Sequence, residues 1–407
     1  MKVLSLFDGM ACGMIAMQFA GMEVESYDAY EIDKYAIKTA QHNFPMIKEH
    51  GDVFGTDFTQ YEGVDFLIGG SPCTYWSIAQ TKNRETVASG MGWELFSQYV
   101  RALHEAKPKY FIYENNKSMS KAIRASIDET FGFEAVLINS ALVSAQNRQR
   151  LYWVGKQNPD GTYSKVDVEQ PDDRGILLRD ILETGIAWHE KSYCITATEY
   201  KGSNPQQTLT KHRRTMVAEP IEPRCVAQRG RYPENPKSRV AGLPTEQMFE
   251  AREDGKTNTL ATVQKDNLVA EPVRIGTYPT SDGRLLNSQG SRIYSVDAKA
   301  VTQSAQGGDW GAKTGLYAVP TVEIGSKTHP VYEVSNGLIT IKGKQYPIKL
   351  KDGYYIIRKL TVRECMRLQT VPEWYEFPVS NSQAYKMLGN GWTVDVIAHI
   401  LKGLKEA

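Results

Sequence analysis

The sequence is informative first for what it lacks. It has five cysteines in 407 residues, at positions 12, 73, 194, 225 and 365, with no CxxC pair and no metal-ligand spacing. No apolar run approaches the length that spans a bilayer. The mostly apolar N-terminal stretch ends at Asp8, which makes it too short for a signal peptide. We therefore expect a cytoplasmic protein with free thiols, no bound metal and no membrane contact.

The chain also has little net charge. Its 48 Lys+Arg and 47 Asp+Glu give +1, which by itself argues weakly against a nucleic-acid partner. The distribution is uneven, however, because residues 174–350 hold 24 Lys+Arg and 18 Asp+Glu, a net charge of +6, and the remainder carries −5. A basic middle segment is typical of a separate polyanion-binding domain, although an ordinary solvated surface would have the same composition.

Short apolar segments alternate with helical periodicity in the first part of the chain. Strands are predicted at residues 2–6, 24–30, 64–68, 109–113 and 135–139, and helices at 14–20, 33–42 and 93–106. This alternation predicts an α/β fold with a mostly parallel, doubly wound sheet. Ligands of such sheets bind at the carboxyl ends of the strands. A glycine-containing turn, Glu31, Asp52, Cys73 and Glu114 all fall at such ends.

The composition changes near Arg174. From there Pro, Gly, Asn, Thr and Arg become more frequent, and long stretches with helical periodicity are no longer found. A near-repeat links residues 208–220 to 259–272, with a weaker third copy ending at Pro320. Repeated short strands predict a β-rich domain. Helical patterns return after Tyr355, where Thr361 and Glu364 form a capping-box pattern. We therefore predict a first domain at 1–173, a β-rich insertion at 174–350, and a segment at 351–407 that returns to the first domain.

The glycine-containing turn at residues 7–13 follows a predicted strand and precedes a predicted helix. Small residues there let the backbone approach a ligand, and the helix N-terminus offers free N–H groups. Glu31 ends the second strand about twenty residues later, where an acidic side chain reaches ribose hydroxyls. Asp52 follows at the next strand–loop boundary. Together these features indicate an adenosine-type cofactor, and the absence of a Walker loop from the sequence argues against phosphate chemistry.

Three further blocks carry groups suited to catalysis. Cys73 follows a strand in a Gly/Pro turn, which would hold it at the sheet edge, although a free cysteine is more often a buried core residue. Glu114 follows a strand in the same way, and its alternative is a surface carboxylate. Arg148 and Arg150 are two residues apart, so on a strand they would point to one face, and their alternative is a solvated charge pair.

In this order, these blocks resemble the motif set of the DNA cytosine-5 methyltransferases. The similar segments are residues 7–13 (cofactor loop), Ser71-Pro72-Cys73, Glu114-Asn115-Asn116, Gln146-x-Arg148-x-Arg150, residues 358–364 and Gly389-Asn390-Gly391. The resemblance covers roughly residues 1–155 and 355–404 and not the middle. Asn116 stands where the family often has Val, and the wider glycine loop and Trp392 resemble the eukaryotic de novo enzymes. No chromatin-reading domain is apparent, so a bacterial or phage-infected cell is the simpler source.

The resemblance implies a Rossmann-like S-adenosylmethionine-dependent sheet with an inserted target recognition domain. It implies methyl transfer to carbon 5 of cytosine at a specific sequence in duplex DNA, in the manner of restriction-modification enzymes. Cys73 would add to carbon 6 of a flipped-out base, because the thiolate is the nucleophilic form of cysteine. Glu114 would donate to ring nitrogen 3, Arg150 would hold the base carbonyl, and Arg148 would organise the site. Residues 75–92 would form the loop that closes over the base.

The same resemblance extends to binding residues. Those expected to hold S-adenosylmethionine are Phe7, Asp8, Gly9, Met10, Cys12, Gly13, Glu31, Ile32, Asp52, Val53, Pro72, Leu95, Asn390, Gly391 and Trp392. Candidate DNA-contacting residues of the middle segment are Lys211, Arg213, Arg214, Arg229 and Arg231, although arginines suit phosphate and guanine alike. We expect a monomer.

Other functions remain open at this point. The same chemistry on RNA is one, and the long basic insertion argues for duplex DNA instead. A non-catalytic DNA-binding subunit is another, but such proteins usually lose the Cys or the Glu. A dinucleotide oxidoreductase would fit the first glycine turn and nothing after residue 60.

Overall fold

A computed structural model describes residues 1–78, 84–201, 204–221 and 330–406, together with the backbone of eight strands or strand segments between 224 and 329. The chain forms two compact units, Met1–Val217 with Lys359–Ala407 and Ala218–Arg358. In the described part, no helix is long and apolar enough to cross a membrane.

The first unit is built on an eight-stranded mixed sheet in the order β3-β2-β1-β4-β5-β7-β6, with β8 paired to β7. Its five neighbouring strands from β3 to β5 are parallel, and β7 runs antiparallel to β5, β6 and β8. The strands are β1 (Lys2–Leu6), β2 (Ser26–Tyr30), β3 (Lys48–Glu49), β4 (Phe66–Gly69), β5 (Tyr110–Asn116), β6 (Val136–Asn139), β7 (Gln149–Gln157) and β8 (Tyr163–Lys165). The predicted doubly wound α/β architecture is confirmed.

Helices cover both faces of this sheet. They are α1 (Cys12–Phe19), α2 (Lys34–Asn43), α3 (Met91–Ala106), α4 (Lys121–Phe131), α5 (Leu178–Ile181), α6 (Pro205–Lys211), α7 (Val362–Leu368), α8 (Asn381–Asn390) and α9 (Val394–Glu406). The predicted capping box of α7 is present, because Thr361 Oγ1 accepts from Glu364 N and Glu364 Oε2 accepts from Thr361 N. Each bond satisfies a backbone donor that would otherwise lack a partner.

Alternation along β1 divides the core into two layers. Val3 joins the cluster that contains helices α1 and α9, whereas Leu4 and Leu6 join the cluster that contains α3 and α4. Helix α9 packs against α1, and residues 359–407 belong to the same compact unit as the first strands. Burial on both faces explains why the central strands β1 and β4 are largely apolar.

The second unit is rich in strands, as predicted for the insertion. The chain enters it within β9 (Met216–Ile221) and leaves it within β20 (Gly353–Lys359). The strands between are β10 (Arg224–Arg231), β11 (Glu246–Ala251), β12 (Leu268–Ala270), β13 (Gly276–Thr277), β14 (Arg292–Ser295), β15 (Leu316–Ala318), β16 (Thr321–Ile324), β17 (Lys327–Ser335), β18 (Leu338–Ile341) and β19 (Lys344–Pro347). They form three sheets, β11-β10-β12, β13-β14-β15 and β19-β18-β17-β20-β9 with β16 on β17. The three repeat copies contribute β9, β12 and β15, one to each sheet.

The limits of the compact units, 217/218 and 358/359, differ from the predicted domain limits at 173/174 and 350/351. Leu178, Ile181 and Ile195 are buried in the same core cluster as α9, which places residues 174–217 with the first unit. The predicted limit near residue 174 is based on the change in average polarity along the sequence. A few apolar side chains are enough to pack an irregular, mostly polar segment onto a core, and average polarity does not reveal them.

Candidate active site

The order of the strands brings four chain segments to one edge of the sheet. β4 lies between β1 and β5, and β7 lies beside β5. The loop after β1, the turn after β4 and the end of β5 therefore meet, because carboxyl ends of parallel strands share an edge. β7 is antiparallel, so its first residues reach the same edge, with Arg150 paired to Asn116.

The turn after β1 has a backbone that few residues adopt. Phe7, Gly9 and Ala11 have φ angles of 59°, 64° and 60°. Gly13 lies in the first turn of α1, where an added Cβ would stand 2.4 Å from Ile68 Cδ1 and 2.8 Å from the Tyr27 hydroxyl. The absence of a side chain at Gly13 thus lets α1 approach β4 closely.

Asp8 lies at the centre of this turn. Its Oδ1 accepts hydrogen bonds from the hydroxyls of Ser5 at 2.5 Å and Tyr27 at 2.6 Å. Its Oδ2 is buried and has no protein partner. Burial raises the pKa of Asp8 to about 6, against the effect of those two hydrogen bonds. A buried acceptor without a partner is a place where a ligand donor would fit.

Glu31 links the end of β2 to the same turn. Its Oε2 accepts from Gly9 N at 2.9 Å, and its Oε1 accepts from the backbone N–H groups of Ile32 and Asp33 at 2.8 Å. These bonds fix the carboxylate at the mouth of the turn. Ile32, beside it, is 76% exposed, which leaves an apolar side chain uncovered next to the predicted cofactor position.

Glu49, at the end of β3, was not predicted. Both of its carboxylate oxygens are buried without a hydrogen-bond partner. Burial raises the pKa of Glu49 to about 8, and the negative charges of Asp8 and Glu31 add to the rise. The one sequence signal was its place at a strand end, three residues before Asp52.

Asp52 and Val53 begin the loop after β3. Asp52 is exposed and its Oδ1 accepts from Phe54 N at 3.1 Å, whereas Val53 is buried. Arg101 of α3 holds this loop, donating to Val53 O at 3.1 Å and to Thr56 O at 2.5 Å. Arg101 was not predicted, since an arginine in the middle of a helix gives no signal of what it will contact.

The turn after β4 is fixed by side chains of β5. Asn115 Nδ2 donates to Ser71 O at 3.1 Å, and the Ser71 and Tyr113 hydroxyls are 2.6 Å apart. An added Cβ at Gly70 would lie 2.7 Å from Glu114 O and 3.1 Å from Glu114 Oε2, so this turn and Glu114 are in close contact. Pro72 is exposed, and Cys73 begins a short 3-10 turn, Cys73–Tyr75. The Cys73 side chain lies outside the described residues.

Glu114 and Arg150 form an ion pair at the base of this edge. Arg150 Nε lies 2.9 Å from Glu114 Oε1, and both side chains are mostly buried. The indole Nε1 of Trp392 donates to Glu114 Oε2 at 2.9 Å. Both carboxylate oxygens are therefore engaged by protein donors. Sequence motifs placed Glu114 and Arg150 in one site but assigned Trp392 to the cofactor alone.

Arg148 is buried and clamps the chain together. Its guanidinium donates to the carbonyls of Ile195 at 3.2 Å, Gly389 at 3.3 Å and Gly391 at 2.8 Å. An added Cβ at Gly389 would lie 2.1 Å from Thr196 C, so the backbones touch there. Arg148 thus fixes the block that contains Gly391 and Trp392 beside β7.

Two further cysteines flank the site. Cys12 is buried, and burial raises the pKa of its thiol to about 12, which disfavours the nucleophilic thiolate. Cys194, which was not predicted, lies 3.5 Å from Arg148 Nη1 and 3.9 Å from Arg150 Nη2. Burial raises the pKa of the Cys194 thiol, but the charges of Arg148 and Arg150 outweigh this effect and bring the pKa below its usual value.

The predicted closing loop, residues 75–92, is anchored at both ends. Trp76 is fully buried, and its Nε1 donates to Glu85 Oε2 at 3.0 Å. Gly92 N donates to the other oxygen of Glu85 at 3.2 Å. These contacts hold the flanks against α3. Residues 79–83 lie outside the described residues.

The remaining predicted residues are spread more widely. Leu95 is half-buried and packs against the core beside α3, and Asn390 is exposed at the end of α8. Lys211 and Arg213 are exposed, and Arg214 donates to Thr198 Oγ1 at 3.0 Å. By contacts, these three belong to the first unit, whereas the predicted Arg229 and Arg231 lie on β10 of the second. The described residues hold no group of three or more potential metal ligands.

Comparison with known proteins assigns the class. The sequence profile of the C-5 cytosine-specific DNA methylases matches residues 1–406. The chain belongs to this family and is a DNA cytosine-5 methyltransferase, as the order of its motifs predicted.

Similar proteins come from phages and bacteria. Orphan methyltransferase M.SPRI of Bacillus phage SPR is 25% identical, with 99% of this chain and 97% of that protein covered. Type II methyltransferase M.HhaI of Haemophilus parahaemolyticus is 23% identical, with 98% and 93% covered. Among solved structures, a mutant DNMT2 of Spodoptera frugiperda shares 15% identity at a TM-score of 0.49, with 99% of each chain covered.

Proposed function

We propose that this enzyme transfers a methyl group from S-adenosylmethionine to carbon 5 of cytosine at a specific sequence in duplex DNA, through a covalent adduct between Cys73 and a flipped-out base. The observation that carries the proposal is the shared edge of β1, β4, β5 and β7. It brings the glycine turn, the Pro72-Cys73 turn, and the Glu114–Arg150 pair together. Each of these groups has a separate role in the chemistry.

The cofactor fits the residues around the turn after β1. Asp8 Oδ2 and both oxygens of Glu49 are buried acceptors without protein donors, and Glu31 is held at the mouth of the turn. Acceptors of this kind suit the hydroxyl and ammonium donors of an adenosyl amino acid. We propose that the residues holding it are Phe7, Asp8, Gly9, Met10, Cys12, Gly13, Glu31, Ile32, Asp52, Val53, Pro72, Leu95, Asn390, Gly391 and Trp392. When bound, S-adenosylmethionine supplies a sulfonium-activated methyl group, which the nucleophilic carbon 5 accepts.

The residues of the chain prepare carbon 5 for that role. The Cys73 thiolate adds to carbon 6, which converts carbon 5 into an enamine-like centre. Negative charge then builds on the ring. A proton on Glu114, delivered to ring nitrogen 3, neutralises this charge, while Arg150 holds the base carbonyl oxygen. The carbon-5 proton then passes to water, the thiolate leaves carbon 6, and ring nitrogen 3 returns its proton to the Glu114 carboxylate, which regenerates both Cys73 and Glu114.

The second unit is proposed to read the target sequence. A base inside a duplex cannot meet the geometry above, so it must be extruded. Strand-rich structure and a basic middle segment suit contacts to a polyanion, with Arg229 and Arg231 on β10 as candidates. Lys211, Arg213 and Arg214, which belong to the first unit, would add phosphate contacts. The protein is proposed to act as a monomer.

The test is methyl transfer from tritiated S-adenosylmethionine to duplex DNA by the wild type and Cys73→Ser, with bisulfite sequencing of the product. We expect labelled cytosines at fixed sequence positions with the wild type and at least a 10³-fold loss, to background, with the variant. Cys365→Ser is the matched control, since Cys365 is a core residue of α7. The Cys365→Ser variant should retain methyltransferase activity, provided that it folds.

Duplex DNA with 5-fluorocytosine at the methylated position tests the adduct. Fluorine at carbon 5 blocks the final elimination, so a complex that survives denaturing electrophoresis should form with the wild type and not with Cys73→Ser. Labelling of RNA alone would overturn the substrate, and labelling by Cys73→Ser would overturn the nucleophile.

A further inference from the structure

Three indole rings donate hydrogen bonds to carboxylates in the described part of the chain. Trp76 donates to Glu85 at 3.0 Å, Trp153 to Asp128 at 2.8 Å and Trp392 to Glu114 at 2.9 Å. The first holds the flank of the predicted closing loop, and the second joins β7 to α4. The third, from Trp392, is made to Glu114, the residue that delivers a proton in the proposed reaction.

Trp392 also lies against the cofactor turn. The Trp392 backbone lies close enough to the Cys12 thiol to lower its pKa against the larger effect of burial, and an added Cβ at Gly391 would stand 3.2 Å from Cys12 Sγ. The indole ring is half-buried and packs against the core cluster that contains Cys12 and Met10. The residue therefore joins the cofactor side of the cleft to the base side.

The two bonds on Glu114 conflict with its proposed role. An indole N–H and a guanidinium N–H are donors only, so each occupies a lone pair of the oxygen that it engages. Arg150 engages Oε1 and Trp392 engages Oε2. To direct an O–H toward the base, one of these oxygens must weaken its present bond, because a protonated oxygen is a poorer acceptor. Arg150 carries a formal charge and the indole does not, so the ion pair is the stronger contact and the indole bond is the one that opens first.

We propose that Trp392 is a positioning residue for the catalytic acid: its indole N–H fixes Oε2 of Glu114 until the site is filled. The inference rests on the proposed role of Glu114. Release of Oε2 requires Trp392 to move. Because Trp392 lies beside the cofactor turn, occupancy of that turn is linked to release of the acid.

The first test measures Glu114 directly in the full-length protein. The carboxyl carbon of Glu114, labelled with ¹³C-glutamate and assigned with Glu114→Gln, is followed by NMR from pH 4 to pH 9. Trp392→Phe keeps an aromatic ring and removes the donor. Removing an N–H donor favours the protonated acid, so the titration midpoint should move up by about one pH unit. This readout does not need methyl transfer, so it stands apart from the proposed function.

The second test is the pH dependence of kcat for DNA methylation. If the protonated acid is the active form, activity is lost as the pH rises, and in Trp392→Phe this loss should shift to higher pH by the same amount as the NMR midpoint. The dissociation constant for S-adenosylmethionine is measured in parallel, because Trp392 is also proposed to hold the cofactor, so that a change in binding is separated from a change in the acid. Trp153→Phe is the matched control, because it removes an indole–carboxylate bond of similar length and should leave both midpoints unchanged.

A variant that fails to fold does not end the test. Replacement of Trp392 by 3-benzothienylalanine keeps the shape of the indole and lacks only its N–H. An unchanged Glu114 midpoint in this protein would overturn the proposal and reduce Trp392 to a packing residue. A shifted midpoint with no methyl transfer by the wild type would uphold the contact and reject the proposed reaction instead.

Discussion

The two sides of the cleft satisfy their polar groups in opposite ways. On the base side, both oxygens of Glu114 are engaged, by Arg150 and Trp392. The terminal nitrogens of Arg148 are engaged by the carbonyls of Ile195, Gly389 and Gly391, whereas its Nε is buried without a hydrogen-bond partner. On the cofactor side, Asp8 Oδ2 and both oxygens of Glu49 are buried without protein partners. Both sides are partly or fully buried, so the contrast does not come from exposure to water.

This difference indicates how each side contributes to the stability of the folded protein. A satisfied network is rigid and holds its groups before any substrate arrives. Buried acceptors without donors disfavour the folded state until a ligand supplies them. The base side is therefore expected to contribute to folding, whereas the cofactor side is expected to reduce the stability of the free protein.

The largest loss of stability should come from removing the Arg148 guanidinium on the base side. Arg148→Met keeps much of the side-chain length but removes the guanidinium donors from the carbonyls of Ile195 and Gly389, whereas Gly391 O still accepts from Gln369 Nε2 at 3.0 Å. We expect a loss of about 4 kcal/mol in the free energy of unfolding, measured by urea denaturation. Arg124→Met is the control, because Arg124 is exposed and lies 3.6 Å from Asp128; it should cost less than about 0.5 kcal/mol. A loss below about 1.5 kcal/mol for Arg148→Met would mean that the network is not a source of stability.

A smaller loss should follow from crowding the same region. In Gly389→Ala the new methyl group would stand 2.1 Å from Thr196 C and 2.3 Å from Ala197 N, which are backbone atoms and cannot turn aside. We expect a loss of about 3 kcal/mol in the free energy of unfolding, together with weaker methylation, since the Arg148 contacts shift.

Gly403→Ala provides the matched control for this change. Gly403 lies in α9, and an added Cβ there meets nothing within 4 Å. The helix should gain up to about 0.8 kcal/mol, so the same chemical substitution is expected to act in opposite directions at the two sites. Equal effects at both positions would contradict the close backbone contact at Gly389.

The fold, and the placement of several candidate residues at one sheet edge, could be predicted because both rest on local signals. Apolar segments of five residues, the turn at residues 7–13 and the capping pair Thr361 and Glu364 each report on a few neighbouring positions. Cys73 follows a strand, and Glu114 and Arg150 lie near strand ends, so the sheet brings them to one edge without knowledge of any side-chain contact.

What could not be predicted depends on contacts between distant residues. Trp392 and Glu114 are 278 positions apart, and Arg148 reaches carbonyls more than 240 positions away. Cys194 and Arg101 have no periodicity or motif that points to their partners. Glu49 was missed for a related reason, because its importance comes from lacking a partner in the fold, and a sequence does not report that.

The smallest effect tests the cofactor side and depends on pH. The pKa of Glu49 rises from an ordinary 4.5 to about 8, through burial and then the charges of Asp8 and Glu31. A carboxyl group with a raised pKa in the folded protein does not oppose folding below pH 4.5, where both states are protonated. Its cost grows as the pH rises and is complete above about pH 8, where the folded protein must hold the charge.

Glu49→Gln removes that charge. The variant should therefore unfold at the same temperature as the wild type at pH 5 and roughly 3 °C higher at pH 8.5, a modest shift because the side chain is partly exposed and screened by solvent. Glu62→Gln is the control, since Glu62 is an exposed partner of Lys107 and should give no pH-dependent difference. Saturating S-adenosylmethionine should reduce the difference in unfolding temperature between Glu49→Gln and the wild type at pH 8.5, if hydrogen-bond donors of the cofactor reach Glu49. A gap that is the same at both pH values would place the cause in packing, and the cofactor side would then be no less satisfied than the base side.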